Sequence, residues 1–210
     1  MRTRSEEKRR DIVRVAAKAF EELGYERTSM LTIAERLRGS KQTLYNYFGS
    51  KEELLRAVLD FDVGEVADQA LNEFLAEKNL RKALIRLGVA FLNGQLASSA
   101  MSNIRIVATQ PAESQLGEEF YENVLRPAWD RVARTFKGLM NDSRLKRSDP
   151  WTAAMQWKGL VLLDLFERRL LGAMKAPDPQ EIEAAAKSAA DAFLKIYGPD
   201  DPAPKARRRS

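Results

Sequence analysis

Apolar residues recur every three or four positions along almost the whole chain, the spacing that gathers them on one face of an α-helix. Nothing alternates with the period of a strand. Ile12, Ala16, Ala19, Phe20 and Leu23 form the first stripe and predict a helix from about Ser5 to Leu23, stopped by Gly24. Two short helices follow. One is entered through Thr28 or Ser29, turns Ile33, Ala34 and Leu37 inward and ends near Leu37. The other runs from Lys41, behind the cap Ser40, to about Phe48 and is broken by Gly49. Ser50, with Glu53 three residues on, is a capping box that opens a long fourth helix to about Glu77, with Gly64 as its weak point.

The same period continues. Leu80, Leu84, Leu87 and Phe91 mark a fifth helix, and Met101, Ile104 and Ala108 a sixth that stops before Pro111. A seventh spans about Leu116 to Met140 and should kink at Pro127. The pairs Asp149-Pro150 and Asp178-Pro179 each place a cap before a proline, so helices are expected over Pro150–Leu171 and Pro179–Tyr197. The first of these is apolar nearly all round from Gly159 to Phe166, the pattern of a helix buried on more than one side. The second puts Ile182, Ala185, Ala186, Ala189, Phe193 and Ile196 on one face, and its alanines let a neighbouring helix come close. The pattern therefore predicts an all-α fold of about nine helices, followed by a proline-rich, basic tail at 198–210 with the composition of a disordered segment.

The stretch Ser29 to Phe48 stands out because its second helix is two-faced. Leu44 and Phe48 are apolar; Lys41, Gln42, Thr43 and Asn46 are polar. Two short helices on a tight turn form the unit that lays its second helix in a DNA major groove. Amide, hydroxyl and ammonium groups suit base edges and phosphates, and the hydroxyls of Tyr45 and Tyr47 suit phosphate oxygens.

The segment from about Glu7 to Val58 closely resembles the DNA-binding domain of TetR-type regulators. The matching elements are Ala16 to Phe20 with Gly24-Tyr25, the Thr28-Ser29 start, the Ile33-Ala34 pair, Ser40-Lys41, Thr43-Leu44-Tyr45, Tyr47-Phe48, and Ser50-Lys51 with Leu54-Leu55. The resemblance implies that Lys41, Gln42, Thr43 and Asn46 face the groove. It implies that Tyr45, Tyr47 and Lys51 meet phosphates and that Thr28 and Ser29 lie at a helix start facing phosphate. One departure concerns the turn. Such regulators carry glycine and then an apolar residue before its serine, whereas here Arg38 precedes Gly39. Either the turn differs, or Gly39 takes the left-handed conformation; Arg38 is also a candidate phosphate contact.

The resemblance further implies a division into a DNA-binding domain at 6–56, with its helix-turn-helix at 29–48, and an effector-binding and dimerisation domain at 57–197. It implies a homodimer through the helices near 150–171 and 179–197 on a palindromic double-stranded operator, released by a small-molecule effector. The stretch from Ile104 to Tyr121 looks like one C-terminal subgroup of the family. An effector would lie between helices five and eight, where Asn93, Met101, Arg105, Phe120, Tyr121, Trp129 and Trp157 are the candidate lining; each aromatic taken alone is also ordinary core. Gly88 and Gly94 are positions that open space for a ligand or for a neighbouring helix. An activator of the same fold and a sequence-indifferent DNA-binding helical dimer are the alternatives.

Composition narrows the chemistry. The 210 residues contain no cysteine and no histidine, so thiolate nucleophiles, disulfides and the commonest general base and metal ligand are missing. No phosphate loop or paired-carboxylate motif is visible, and neither an enzyme nor a cofactor is expected. The net charge of +5 is uneven. Residues 1–56 hold 13 basic and 9 acidic side chains, residues 57–197 hold 18 and 19, and residues 198–210 hold 4 and 2. A basic N-terminal unit on a near-neutral remainder expects a polyanion at that end. No secretory leader or membrane-spanning run is legible, so a cytoplasmic protein is expected.

Overall fold

A computed structural model describes residues 4–61 and 63–199. Their regular structure is entirely helical: α1 Arg4–Leu23, α2 Met30–Arg36, α3 Lys41–Tyr47, α4 Lys51–Leu59, α5 Val63–Ala76, α6 Leu80–Gln95, α7 Ser98–Ala108, α8 Leu116–Phe120, α9 Arg126–Asn141, α10 Pro150–Leu162, α11 Leu165–Leu170 and α12 Pro179–Tyr197. The tail expected at 198–210 falls outside the described residues from position 200 on.

Local chemistry sets most boundaries. Ser29, Ser40, Ser50, Asn79, Asp149 and Asp178 each accept a backbone N–H of the helix they open. The box at α4 closes differently from the expected form. The Glu53 carboxylate accepts the N–H of Gly49, one residue ahead of the cap, at 2.7 Å. The long fourth helix is interrupted: α4 ends at Leu59, capped by Asp60, and α5 starts at Val63, so the break precedes Gly64. The eighth is interrupted too. Leu163 takes a positive φ of 46° between α10 and α11 with no glycine or proline to announce it. The expected kink at Pro127 is spread into a π-type turn over Tyr121–Leu125, which joins α8 to α9 and in which the Arg126 N–H reaches back to Tyr121. Proline has no N–H for the preceding turn and crowds it, and widening that turn relieves both.

Two cores result. α1–α4 form a head around Ile12, Phe20, Ile33, Leu44, Phe48, Leu54 and Leu55. α5–α12 form a body around Leu84, Leu92, Phe136, Trp157, Val161 and Phe193. The body's tightest seam is α6 on α12. A Cβ on Gly88 would lie 3.0 Å from that of Ala186, so Gly88 makes room for a helix and not for a ligand. The cores are not independent: Ile106 of α7 and Leu116 of α8 are buried in the head's core. The buried face of α7 differs from the expected stripe. Met101 and Ile106 are its buried residues, Ile104 is half-buried and Ala108 exposed, because α7 packs against α1 of the head as well as against α6 of the body. On α12, Tyr197 takes the inward place expected of Ile196, which is exposed.

Candidate nucleic-acid interface

Each short helix of the head is fixed at both ends. The Ser29 hydroxyl accepts the Thr32 N–H at 3.1 Å, and the Ser40 hydroxyl accepts the Thr43 N–H at 3.0 Å. Between them α2 ends in a paired motif, with the Arg38 N–H on the Glu35 carbonyl and the Gly39 N–H on that of Ala34. The residue in the left-handed conformation is Arg38, at φ 49°; Gly39 is not in that region. The turn thus keeps its shape and holds a non-glycine where glycine fits best.

Leu44 and Phe48 anchor α3 in the core, leaving Lys41, Gln42, Tyr45 and Asn46 exposed. The Gln42 amide donates to Asn46 Oδ1 at 3.2 Å, so one face carries two aligned amides with spare donors and acceptors. The Lys41 ammonium lies 5.6 Å from the Tyr45 ring, and among the described residues no carboxylate pairs with Lys41 or Arg38. Arg36, by contrast, is tied to Glu22 at 2.7 Å. The Lys51 ammonium stands 4.0 Å over the Tyr25 ring, and burial, reinforced by Glu52 and Glu26, pushes the Tyr25 hydroxyl up to about 12.

Several expected residues fall elsewhere. Thr28 is 1% exposed, and its hydroxyl donates to Gly24 O and lies 3.3 Å from Ala19 O, so it splices α1 to α2 and faces no partner; Ser29 alone caps α2. Tyr47 is half-buried against the head core, and Thr43 is half-buried with its hydroxyl 2.9 Å from that of Ser40, whereas Tyr45 is 40% exposed. Arg9 was not anticipated. Its guanidinium lies 4.9 Å from the Phe48 ring, which extends the basic surface from the first turns of α1 to the end of α3. No local pattern signals a contact between residues 39 apart.

The seven candidate lining residues do not converge on one cavity. Asn93 and Tyr121 are exposed, and Phe120 packs on the head core. Arg105 is exposed and donates to the carbonyls of Arg169 and Leu170, capping α11. Met101 is fully buried, and only Trp129 and Trp157 come together, with ring centroids 6.3 Å apart. Open space lies at the junction of head and body. A cleft of about 510 Å³ runs between Gly24–Arg27 and α7, and one of about 650 Å³ runs between α4 and the α8 region, crossed by the Arg56–Glu119 ion pair at 2.6 Å.

Comparison with known proteins agrees with this geometry. Residues 12–58 match the bacterial regulatory proteins of the tetR family, and residues 82–199 match the AefR-like transcriptional repressor C-terminal domain. The chain belongs to the TetR family. It is therefore a DNA-binding transcriptional regulator by family and by fold. A TetR-family structure from Mesorhizobium loti superposes with a TM-score of 0.85 at 27% identity, covering 94% of this chain and 100% of that one. The flavonoid-responsive regulator FrrA superposes at 0.68 with 28% identity over 92% and 99% of the two chains. The A-factor receptor protein of Streptomyces griseus is 34% identical over 82 residues, 39% of this chain and 28% of that protein. HbdR of Aromatoleum is 42% identical over 50 residues, 24% and 22%. The chain spans about a quarter of the length of these two curated relatives. No helix of the described residues is long and apolar enough to cross a membrane.

Proposed function

We propose that this TetR-family chain is a homodimeric repressor that reads a near-palindromic operator with α3 and is released when a small molecule enters the body. The observation that carries the reading is the exposed, carboxylate-free face of Lys41, Gln42, Tyr45 and Asn46 on a helix clamped from behind by Leu44 and Phe48. Gln42 and Asn46 would read base edges, and a carboxamide matches the acceptor and donor of adenine. Ser29, Lys51, Tyr45 and Arg9 would hold phosphates, with Thr43 and Tyr47 setting the pose.

The dimer reading is supported by the outer faces of α10 and α12. Gln156, Gly159 and Leu163 are exposed on or just beyond α10, and Ala184, Ser188 and Ile196 on α12. Small residues there admit a partner helix, and the leucine and isoleucine supply apolar area. Two recognition helices would then enter successive major grooves, about 34–36 Å apart or a multiple of the helical turn.

Release is supported by the shared core. Ile106 and Leu116 belong to body helices but are buried in the head, so a shift of α7 or α8 changes the head's packing and hence the spacing of two heads. By linkage, operator would weaken effector binding by the factor that effector weakens operator. Sedimentation of the chain with a duplex selected from a random library tests the assembly: two or four chains per palindrome are expected, and one chain on a site lacking symmetry contradicts it. Release is tested on the same duplex by anisotropy against a metabolite library. A compound that binds the body yet leaves operator affinity unchanged would count against it.

A further inference from the structure

Three cations of the head rest on aromatic rings. The Lys51 ammonium lies 4.0 Å from the centroid of Tyr25, the Arg9 guanidinium 4.9 Å from that of Phe48 and the Lys41 ammonium 5.6 Å from that of Tyr45. None of the three forms an ion pair with a carboxylate among the described residues, whereas Lys18 of α1 and Arg36 of α2 both pair with Glu22. The difference matters toward a polyanion. A carboxylate holds a cation and cancels its charge, but a ring face holds it through the ring's quadrupole and leaves the charge whole.

The Lys51 seat is the closest of the three, and its ring is fixed. Tyr25, in the turn between α1 and α2, is 8% exposed, and its ring meets that of the buried Phe20 edge-on at 5.2 Å. Its carbonyl accepts the Thr28 N–H at 3.1 Å, one residue ahead of Ser29, the cap of α2. Lys51 is the first residue of α4. Tyr25 therefore ties the start of α2, where Ser29 stands, to the start of α4. Two acids, Glu26 and Glu52, lie near enough to help push the Tyr25 hydroxyl up, and Glu52 also feels the Lys51 charge. Without the ring, the ammonium has acids close at hand to turn to.

We propose that Tyr25 is a positioning residue for DNA binding, whose ring presents the Lys51 ammonium to a backbone phosphate and keeps it from the neighbouring acids. This rests on the reading of α3 and its flanks as the DNA face, and adds what orients one of the phosphate contacts. A lysine stem loses rotamer freedom when its ammonium is immobilised. Held on the ring, it has given up that freedom before DNA arrives, so less is lost on binding. The ring covers one side of the ammonium and leaves its other N–H donors for phosphate. A leucine in place of the tyrosine would still pack on Phe20 but would leave the lysine loose.

The test is a double-mutant cycle on the full-length protein, read as affinity and its salt dependence on a duplex selected by the wild type. Lys51→Ala is expected to weaken binding about tenfold per protomer, the loss of a charge-assisted hydrogen bond, and to lower the slope of log affinity against log salt by about 0.9 per protomer. Tyr25→Leu should reproduce most of that loss of affinity, and should cost nothing more once Lys51 is alanine. Tyr25→Phe, which keeps the ring, should bind like the wild type. Because Tyr25→Leu also disturbs the head's core, a trifluorinated phenylalanine at position 25 gives a second arm. Fluorine drains the negative charge from the ring face at nearly unchanged size, so this variant should bind more weakly than Tyr25→Phe at an unchanged melting temperature. Equal binding by phenylalanine and its fluorinated form, or equal losses from Tyr25→Leu with and without Lys51, would overturn the proposal and leave Tyr25 a packing residue. An unchanged affinity in Lys51→Ala would overturn it by removing the phosphate contact. These outcomes strike Tyr25 alone so long as the wild type selects a site; no selected site would strike the DNA face itself, and this proposal with it.

Discussion

Arg38 shows how one side chain can serve two demands that pull against each other. At φ 49° it occupies a turn position that favours glycine, yet it carries an exposed charge with no acidic partner among the described residues, beside the proposed DNA face. Arg38→Gly is therefore expected to raise stability by about 1 kcal/mol, measurable by urea unfolding, while weakening operator binding and flattening its salt dependence. Gain on both counts would show that the arginine has no role toward phosphate. Tyr25 gives a pH signature. Its hydroxyl titrates near 12 in the folded head against about 10 in an unfolded chain. The folded state thus holds its proton longer, the stabilisation is complete below pH 10, and it is lost as pH rises toward 12. Tyr25→Phe should remove that part of the alkaline decline seen in unfolding free energies. Thr28 marks the limit of reading a residue by motif. A hydroxyl next to a helix start has the chemistry of a phosphate ligand, and only the fold reveals that Gly24 and Ala19 already engage it.

At the scale of helices, capping residues and apolar spacing were legible because they act within one turn of the chain. Ser29, Ser40, Ser50, Asp149 and Asp178 open helices where the sequence places them. The break at Leu163 was not legible, since no proline or glycine marks it, and the one between Leu59 and Val63 was legible only as the weak point at Gly64, just past the interruption. Arg9 beside Phe48, the Ile106 and Leu116 insertions and the role of Arg105 were hidden too, each a contact between separate elements. Helix seams make their own prediction. Gly88→Ala should force α6 from α12 and cost about 1–3 kcal/mol, whereas Gly94→Ala, with open space around it, should gain about 0.5–1 kcal/mol from helix propensity. Thermal melts of the two variants should move in opposite directions. A shared loss would place Gly94 against something that the fold does not show.

For the whole molecule, what matters is how the head sits on the body. Ile106 and Leu116 join them through apolar contact, and Arg56–Glu119 spans the cleft beside the π-type turn. An exposed ion pair contributes at most about 1 kcal/mol to stability. Arg56→Gln should accordingly leave the melting temperature nearly unchanged while shifting operator affinity, because it frees the orientation of the head. A change in neither would mean that apolar contact alone sets that orientation. Basic residues add a second whole-molecule readout: Arg9→Ala should reduce the slope of log affinity against log salt by about 0.9 per protomer without altering the preferred sequence.

The central claim is that α3 reads DNA, and the most direct measurement is selection of bound duplexes from a random library by the wild type and by the Gln42→Ala, Asn46→Ala pair. Both side chains are exposed and outside the core, so the variant should fold normally. The account predicts that the wild type recovers one near-palindromic site, and that the variant binds DNA with similar salt dependence but no longer prefers that site. An unchanged preference in the variant, or no enriched sequence for the wild type at low salt, would contradict it.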